Sequence, residues 1–345
     1  MSTFAHYKAF SRPLPKVYTL EEIEAAVADE PAVMRAMADG FVALSQGKVS
    51  VPPIQTMGQE PCAPFQAGGG TQTCVKSGYI NGDDFYVSKV ATGGFLGNSK
   101  AGMSPNTGCM LIFSQGTGRL EAILLDEGLL TEIRTAAAGA LASSLLAPKN
   151  VSCIGILGTG VQARWQLRFL KNVTPCRKVL VFALDRLEEF CSEMAAEGWQ
   201  VTAADSIEHM VRSADLVHTV TTARAPLVKK EWVRKGMHIT NIGADAQGKQ
   251  EMDPAIMAQA DLLVTDSRAQ TVERGEFQHA VKAGLIDISD VREIGELIGQ
   301  PELHRQGNDD DRLTIFDTSG VAVEDVQITR MVYDALRQMH AKSHL

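Results

Sequence analysis

Gly158-Thr159-Gly160-Val161-Gln162-Ala163 is the stretch whose residue types and spacing point most directly to chemistry. It follows a short apolar run, 153–157, and opens a helical one, 163–170. Glycines at this spacing between a strand and a helix suit a dinucleotide. Gly158 permits the tight turn and Gly160 lets the backbone approach a pyrophosphate. Ala163 allows close packing of helix on strand, and the first turn, with Val161 and Gln162, offers N–H groups to phosphate. A plain strand-to-helix turn is the other reading; the strand–helix units downstream favour the cofactor. The next apolar strand ends at Asp185-Arg186. An acid there accepts the ribose hydroxyls of NAD and repels a 2′-phosphate, whereas Arg186 would attract one. NAD is the expected cofactor, with NADP possible.

Three more charged residues stand where charge has a use. Asp245 follows the apolar stretch 238–242, inside Gly243-Ala244-Asp245-Ala246-Gln247-Gly248. That is the carboxyl edge of a parallel sheet, where ligands bind. A carboxylate within reach of an amine or imine nitrogen can carry its proton; a solvated loop aspartate is the alternative. Lys89 interrupts the apolar stretch 85–91, and a lysine there needs a partner unless it snorkels from an edge strand. Arg134 lies in a run of small residues, 131–146, where a ligand can come close. A surface ion pair is its other reading.

Positioning these groups takes two kinds of architecture. In the first part of the chain, apolar residues at helical spacing predict a helix over 20–46, with Glu21, Glu22 and Glu24 at the end where the helix dipole favours negative charge. A Gly- and Pro-rich loop is expected at 61–73, then strands at 85–91, 109–114 and 120–125, the last two joined as a hairpin by Gly116-Thr117-Gly118. After residue 130 the pattern changes. A small-residue helix at 131–146 leads into alternating strands (153–157, 179–183, 200–203, 215–220, 238–242, 261–265) and helices (187–196, 206–212). Apolar strands separated by helices indicate a parallel sheet covered on both faces. The fold class is therefore α/β, a Rossmann-type parallel sheet domain plus a second α/β domain. The tail from 313, a strand, a turn and an amphipathic helix, closes one or the other.

Composition removes several function classes. A chain of 345 residues suggests two domains. With 45% hydrophobic and 21% charged residues it is not generally disordered. The net charge of −8, without a Lys/Arg run, argues against nucleic acid. No apolar stretch reaches the roughly 18–20 residues of a membrane span, and the N-terminus lacks the apolar core of a secretory signal. The six cysteines form no Cys-x-x-Cys pair, so reduced thiols of an intracellular protein are expected and no metal site is. Ser343-His344-Leu345 is a conservative variant of the Ser-Lys-Leu address, so the expected location is cytoplasmic or, in a eukaryote, peroxisomal.

Taken in order, five segments resemble the ornithine cyclodeaminase and mu-crystallin family, over roughly residues 17–340. They are Ser88-Lys89-Val90, the run Leu130 to Ala137 with its Arg-Thr-Ala-Ala, the glycine loop with Gln162, the run Gly243 to Glu251, and Phe316-Asp317-Thr318-Ser319-Gly320 ending in Glu324-Asp325. The resemblance implies a homodimer. Each subunit would hold a central Rossmann domain, 131–316, and a substrate domain made of 1–130 with 317–345 that pairs the subunits. It further implies hydride transfer at the α-carbon of a small imino or amino acid. Carried over residue by residue, Lys89 and Arg134 hold the substrate carboxylate, Arg134 also serving the cofactor. Thr107 and Thr135 fall near the cofactor phosphates, and Thr221, Thr222 and Ser319 near the nicotinamide, Ser319 also facing substrate. Asp245, with Lys89 the catalytic pair, matches the cyclodeaminase aspartate that moves the proton on nitrogen; the mu-crystallin branch lacks it. Glu276 and Asp325 read as structural.

Two departures bear on the substrate. Where many members clamp the carboxylate with an arginine, this chain offers Gln55. Near a position where the cyclodeaminase is acidic stands Lys76, which would repel a δ-ammonium and attract a second carboxylate. The expected activity is thus NAD(P)H-dependent reduction of a small α-imino acid, the simplest acidic case being iminosuccinate to aspartate. Ornithine cyclodeamination and a non-enzymatic, mu-crystallin-like binder are the alternatives.

Overall fold

The computed structural model describes residues 14–27, 29–58, 72–95, 98, 101–104, 106–307 and 311–343. Of the expected loop at 61–73, only the end is among them, and there Gln72 and Thr73 already belong to a strand. Cys62 and His344-Leu345 lie outside the described residues, so the C-terminal tripeptide does too. The chain divides into two compact units. Residues 1–27, 52–128 and 332–345 form the first, 28–51 and 129–331 the second. Residues 28–51 and 317–331, expected with the terminal domain, thus cluster with the second unit.

In the first unit the strands lie in the order Lys16–Tyr18, Leu120–Leu124, Thr107–Ser114, Phe85–Gly93, Gln72–Ile80, with Gln55–Met57 also paired to the last. All these pairs are antiparallel except Lys16–Tyr18 on Leu120–Leu124. The expected hairpin is present, closed by Ser114 N–H on the Arg119 carbonyl and turned at Gly118, whose φ is +67°. One face of the sheet buries Tyr18, Phe85, Val87, Met110, Ile112, Ala122 and Leu124. Tyr333 of the C-terminal helix sets its ring edge-on to Phe85 and Tyr18, centroids 5.3 and 6.2 Å away. The strand Gln72–Ile80 was not legible beforehand, because Lys76 and Gly78 fall on its buried face and break the apolar alternation.

The second unit is built on eight parallel strands. Their order is Gln200–Ala203, Lys178–Phe182, Ile154–Leu157, Leu216–Thr219, His238–Asn241, Thr314–Asp317, Leu262–Thr265, Arg292–Glu293. Chain direction of travel reverses between Ile154–Leu157 and Leu216–Thr219, which makes the carboxyl end of those two strands a topological switch point. The central strands are buried along their whole length, as strands covered on both faces must be. Helix Leu129–Leu146 packs on helix Val161–Leu170, and its small residues allow this: a Cβ on Gly139 would stand 2.4 Å from Gln166 Oε1.

The single helix expected over 20–46 is two, Leu20–Ala26 and Glu30–Ser45. Asp29 caps the second by accepting the Ala32 N–H at 2.9 Å, and Pro31 sits in its first turn, where a missing N–H costs nothing. The apolar spacing runs through both and hid the break. Cys74, Cys109, Cys153, Cys176 and Cys191 are all free thiols. Among the described residues no helix is long and apolar enough to cross a membrane, and no cluster of three or more His, Cys, Asp or Glu could hold a metal.

Candidate active site

The glycine loop lies at the switch point. Gly158 has φ +113°, a conformation glycine alone adopts freely, and a Cβ on it would meet Val220 and Thr221 at 3.2–3.3 Å. The loop thus brings Thr221 to its side. Gly160 behaves differently: its φ of −73° suits any residue, and a Cβ there meets nothing within 4 Å. No side chain caps the helix Val161–Leu170. Open space beside Gly160, over an uncapped helix start, fits a pyrophosphate: the first-turn N–H groups would hold it and the helix dipole would favour its charge.

Neighbouring groups frame that space. Thr159 donates its hydroxyl to the Asp185 carbonyl at 3.0 Å, which ties the loop to the end of the next strand. The side chains of Asp185 and Arg186 are well exposed, with Arg186 Nε 4.0 Å from the Asp185 carboxylate and its backbone left-handed at φ 51°. Arg164 donates to the Thr159 and Gly160 carbonyls (2.6 and 3.3 Å) and to Glu193 (2.7 Å), a brace that sequence reasoning missed. Two expected cofactor residues turn elsewhere. Gln162 donates to the Glu132 carbonyl at 3.2 Å, and Thr135 gives its hydroxyl to the Thr131 carbonyl of its own helix at 2.7 Å. Thr222 is exposed just beyond Thr221; Thr107 is an exposed residue in the first unit, opposite Thr92.

Arg134 is neither at the surface nor without company. It is 4% exposed; Nε donates to Asp325 Oδ1 at 3.1 Å and Nη1 to Glu324 Oε2 at 3.0 Å. Burial alone would lower its pKa, but Glu324 and Asp325 more than offset that and hold the guanidinium charged. Its Nη2 makes no hydrogen bond among the described residues. Gly320 is required beside it, since a Cβ there would stand 2.7 Å from Nη1. Ser319, buried, accepts from Gln270 Nε2 at 2.8 Å, and the Ser319 and Gly320 N–H groups both bond Asp266.

Asp245 is exposed on its loop and forms an ion pair with Lys249 at 2.5 Å. The loop is anchored beneath it by Glu251, whose carboxylate accepts from Thr221 N–H, Thr219 hydroxyl and Gly243 N–H at 2.7, 2.8 and 3.0 Å. Glu276, expected as structural, takes the N–H groups of Glu251 and Met252. Glu251 was missed although it closes a motif, because an acid's burial has no periodic signature.

In the first unit, Lys76 and Lys89 are directly opposite each other on adjacent antiparallel strands. Both are buried, 7% and 2% exposed, so neither snorkels. Cross-strand partners share a face, and like charges so placed repel. Gln55 is opposite Val75, on the other face of the sheet, and is exposed; the structure does not group it with the lysines.

These features define a class: a two-unit α/β protein with a dinucleotide-type site at the switch point of a parallel sheet. The chain belongs to the ornithine cyclodeaminase/mu-crystallin family, whose profile matches residues 16–340. It is 35% identical over 336 residues to an uncharacterized cyclodeaminase of Sinorhizobium fredii, covering 96% of this chain and 98% of the relative. It is 34% identical over 249 residues to the iminosuccinate reductase of Paracoccus denitrificans, 71% of this chain and 75% of that one. The crystal structure of that reductase with NAD+ superposes with a TM-score of 0.81 at 29% identity, covering 94% of this chain and 97% of the other. An archaeal alanine dehydrogenase dimer with bound NAD gives 0.82 at 30% identity, covering 94% and 97%.

Proposed function

We propose that the protein is a pyridine-nucleotide-dependent oxidoreductase of C=N and CH–NH2 bonds, and that it reduces a small α-imino acid bearing two carboxylates. The observation that carries the substrate class is the opposed, buried pair Lys76–Lys89. Two positive charges on one short stretch of sheet face suit two carboxylates of one molecule, and each charged contact is worth about 1.5–3 kcal/mol. The same pair disfavours the δ-ammonium of ornithine, although one relative is an ornithine cyclodeaminase of Brucella suis, 31% identical over 244 residues. The likeness to an iminosuccinate reductase supports the dicarboxylate reading.

When bound, the reduced nicotinamide supplies a hydride to the α-carbon. The chain's own residues do the rest. Gly158, Gly160 and the helix start hold the phosphates, and Asp185 takes the ribose hydroxyls, favouring NAD. Lys89 and Lys76 hold the carboxylates, with Arg134 Nη2 a further donor. Asp245, exposed and ion-paired with Lys249, takes a proton from solvent or from that ammonium and passes it to nitrogen as the C=N bond becomes CH–NH.

The test is a panel of 2-oxo acids with ammonium, and of cyclic imines, against NADH and NADPH. The reading expects stoichiometric NADH loss, fastest with a four-carbon dicarboxylate. Flat NADH absorbance with ammonia released from ornithine would replace it by cyclodeamination. Nucleotide retention without turnover of any imino acid would replace it by a binding role.

The first unit also presents an apolar sheet face with Val17, Met57 and Tyr79 exposed at 55, 46 and 37% and Tyr86 stacked on Phe113, centroids 4.8 Å apart. With a dimeric alanine dehydrogenase among the similar structures, we assign this face to a second copy of the chain.

A further inference from the structure

The ladder between strands Leu216–Thr219 and His238–Asn241 ends at the pair Thr219–Asn241. Past that point the two segments leave the sheet as loops, one carrying Thr221 and Thr222, the other Asp245, and they pair again only as the two-stranded ribbon of Arg224–Val228 with Gln250–Met252. Backbone alone gives one more link at the sheet, the Ile242 and Gly243 N–H groups on the Thr219 carbonyl at 3.0 and 3.2 Å. The next backbone link is the Gln250 N–H on the Ala223 carbonyl at 2.9 Å, and between the two a buried side chain joins the loops.

We propose that Glu251 is a positioning residue that fixes the distance between these two loops, and so the position of Thr221–Thr222 relative to Asp245. It touches neither the proposed substrate nor the cofactor. One carboxylate oxygen receives the Thr221 N–H; the other receives the Gly243 N–H and the Thr219 hydroxyl. The two N–H groups can only donate, so the residue between them must present an acceptor to each side at once. A carboxylate does this with its two oxygens. An amide cannot, because its NH2 would face one of the donors.

The loops approach too closely for any other arrangement. A Cβ on Gly243 would lie 2.1 Å from the Thr221 carbonyl oxygen and 2.4 Å from Glu251 Oε2. The glycine is thus the contact surface against which the clamp closes. Glu251 is itself fixed from below. Its N–H and that of Met252 go to the two oxygens of Glu276, and the Glu276 N–H goes to Asp317 Oδ1 at 3.0 Å. Asp317 also accepts the Phe277 N–H at 3.4 Å and the Thr271 hydroxyl. Three buried acids in series therefore tie the loop pair to strand Thr314–Asp317 and the start of helix Phe277–Lys282.

The functional consequence rests on the reading above, in which Thr221–Thr222 face the nicotinamide and Asp245 serves the nitrogen. Loosening the clamp leaves the glycine loop and the lysine pair in place. It therefore lowers turnover while sparing the binding of either partner.

Hydrogen exchange and kinetics on the full chain test this. In the wild type, the Thr221 and Gly243 amides should exchange at least about ten-fold more slowly than those of Thr222 and Ala244; equal rates would overturn the clamp. In Glu251→Asp, which withdraws the carboxylate, the protection of Thr221 should vanish and that of Gly243, still bonded to the Thr219 carbonyl, should fall, and in Glu251→Gln at least one of the two should be lost, while strands 154–157 and 178–182 keep theirs. The kcat for the best imino acid should fall by more than about ten-fold, with the KM for NADH within about three-fold. An unchanged kcat with loosened loops, or a KM that rises in step with the loss of activity, would overturn the positioning role. A wild type that turns over nothing, yet shows the protection pattern and its loss, would refute the functional reading and leave the clamp standing.

Discussion

Lys76 and Arg134 show how differently two buried cations are used. Arg134 has carboxylates from its own chain on two nitrogens, so it is part of the fold as well as of the proposed site. Arg134→Met removes the guanidinium that buried Glu324 and Asp325 share, and should cost about 3–5 kcal/mol, read by urea denaturation. Lys76 faces another lysine across the strand pair and is placed to hold a ligand's carboxylate in the proposed site. Lys76→Met should raise the KM of a dicarboxylic imino acid by about ten-fold or more over a monocarboxylic one. An unchanged ratio in steady-state kinetics would remove the second carboxylate from the proposal.

At the level of elements, glycines divide in the same way. Gly160 has no protein neighbour where its side chain would point, so Gly160→Val should change the melting temperature little and weaken NADH binding by more than about ten-fold, measured by fluorescence titration. Gly243→Ala should do the reverse, destabilising the fold, since its Cβ has no room. A chain of buried polar groups also links helices to the sheet. Thr135 carbonyl, Gln166, His218, Ser143, Thr240, His238 and Thr314 follow one another at 2.9–3.4 Å. Burial pushes His218 down to about 3 and His238 well below its ordinary value. The unfolded chain then binds protons that the folded one refuses, so stability falls as pH drops below about 6.5 and keeps falling until the folded pKa is reached. Buried Asp317, raised by desolvation to about 7, acts oppositely and favours the fold at acid pH. His218→Asn isolates one side. Its stability deficit against wild type should shrink by about 2 kcal/mol between about pH 7 and about pH 5, measured by denaturant titration at each pH.

For the whole molecule, the proposed assembly of two copies rests on the half-exposed sheet face of the first unit. Tyr79→Glu places a charge opposite Tyr86, which stacks on Phe113, and should convert a dimer to a monomer in sedimentation, without loss of NADH binding by the second unit. A species already monomeric in the wild type would dismiss that face as the contact.

The order of strands and helices after residue 130, the glycine loop and the acid that ends the next strand follow from local pattern. Apolar period and turn chemistry act over a few residues, and each such segment carries its own evidence. Family membership was equally legible, because short motifs keep their order along the chain. Tertiary structure alone decided the rest: that Lys76 opposes Lys89 while Gln55 lies on the other face, that Arg134 is shared with two acids, and that Glu251 joins two loops. Register and the burial of charge arise from partners distant in sequence, here 13 residues for the lysines and up to 191 for Arg134. A residue's own type and neighbours do not encode which distant group will meet it.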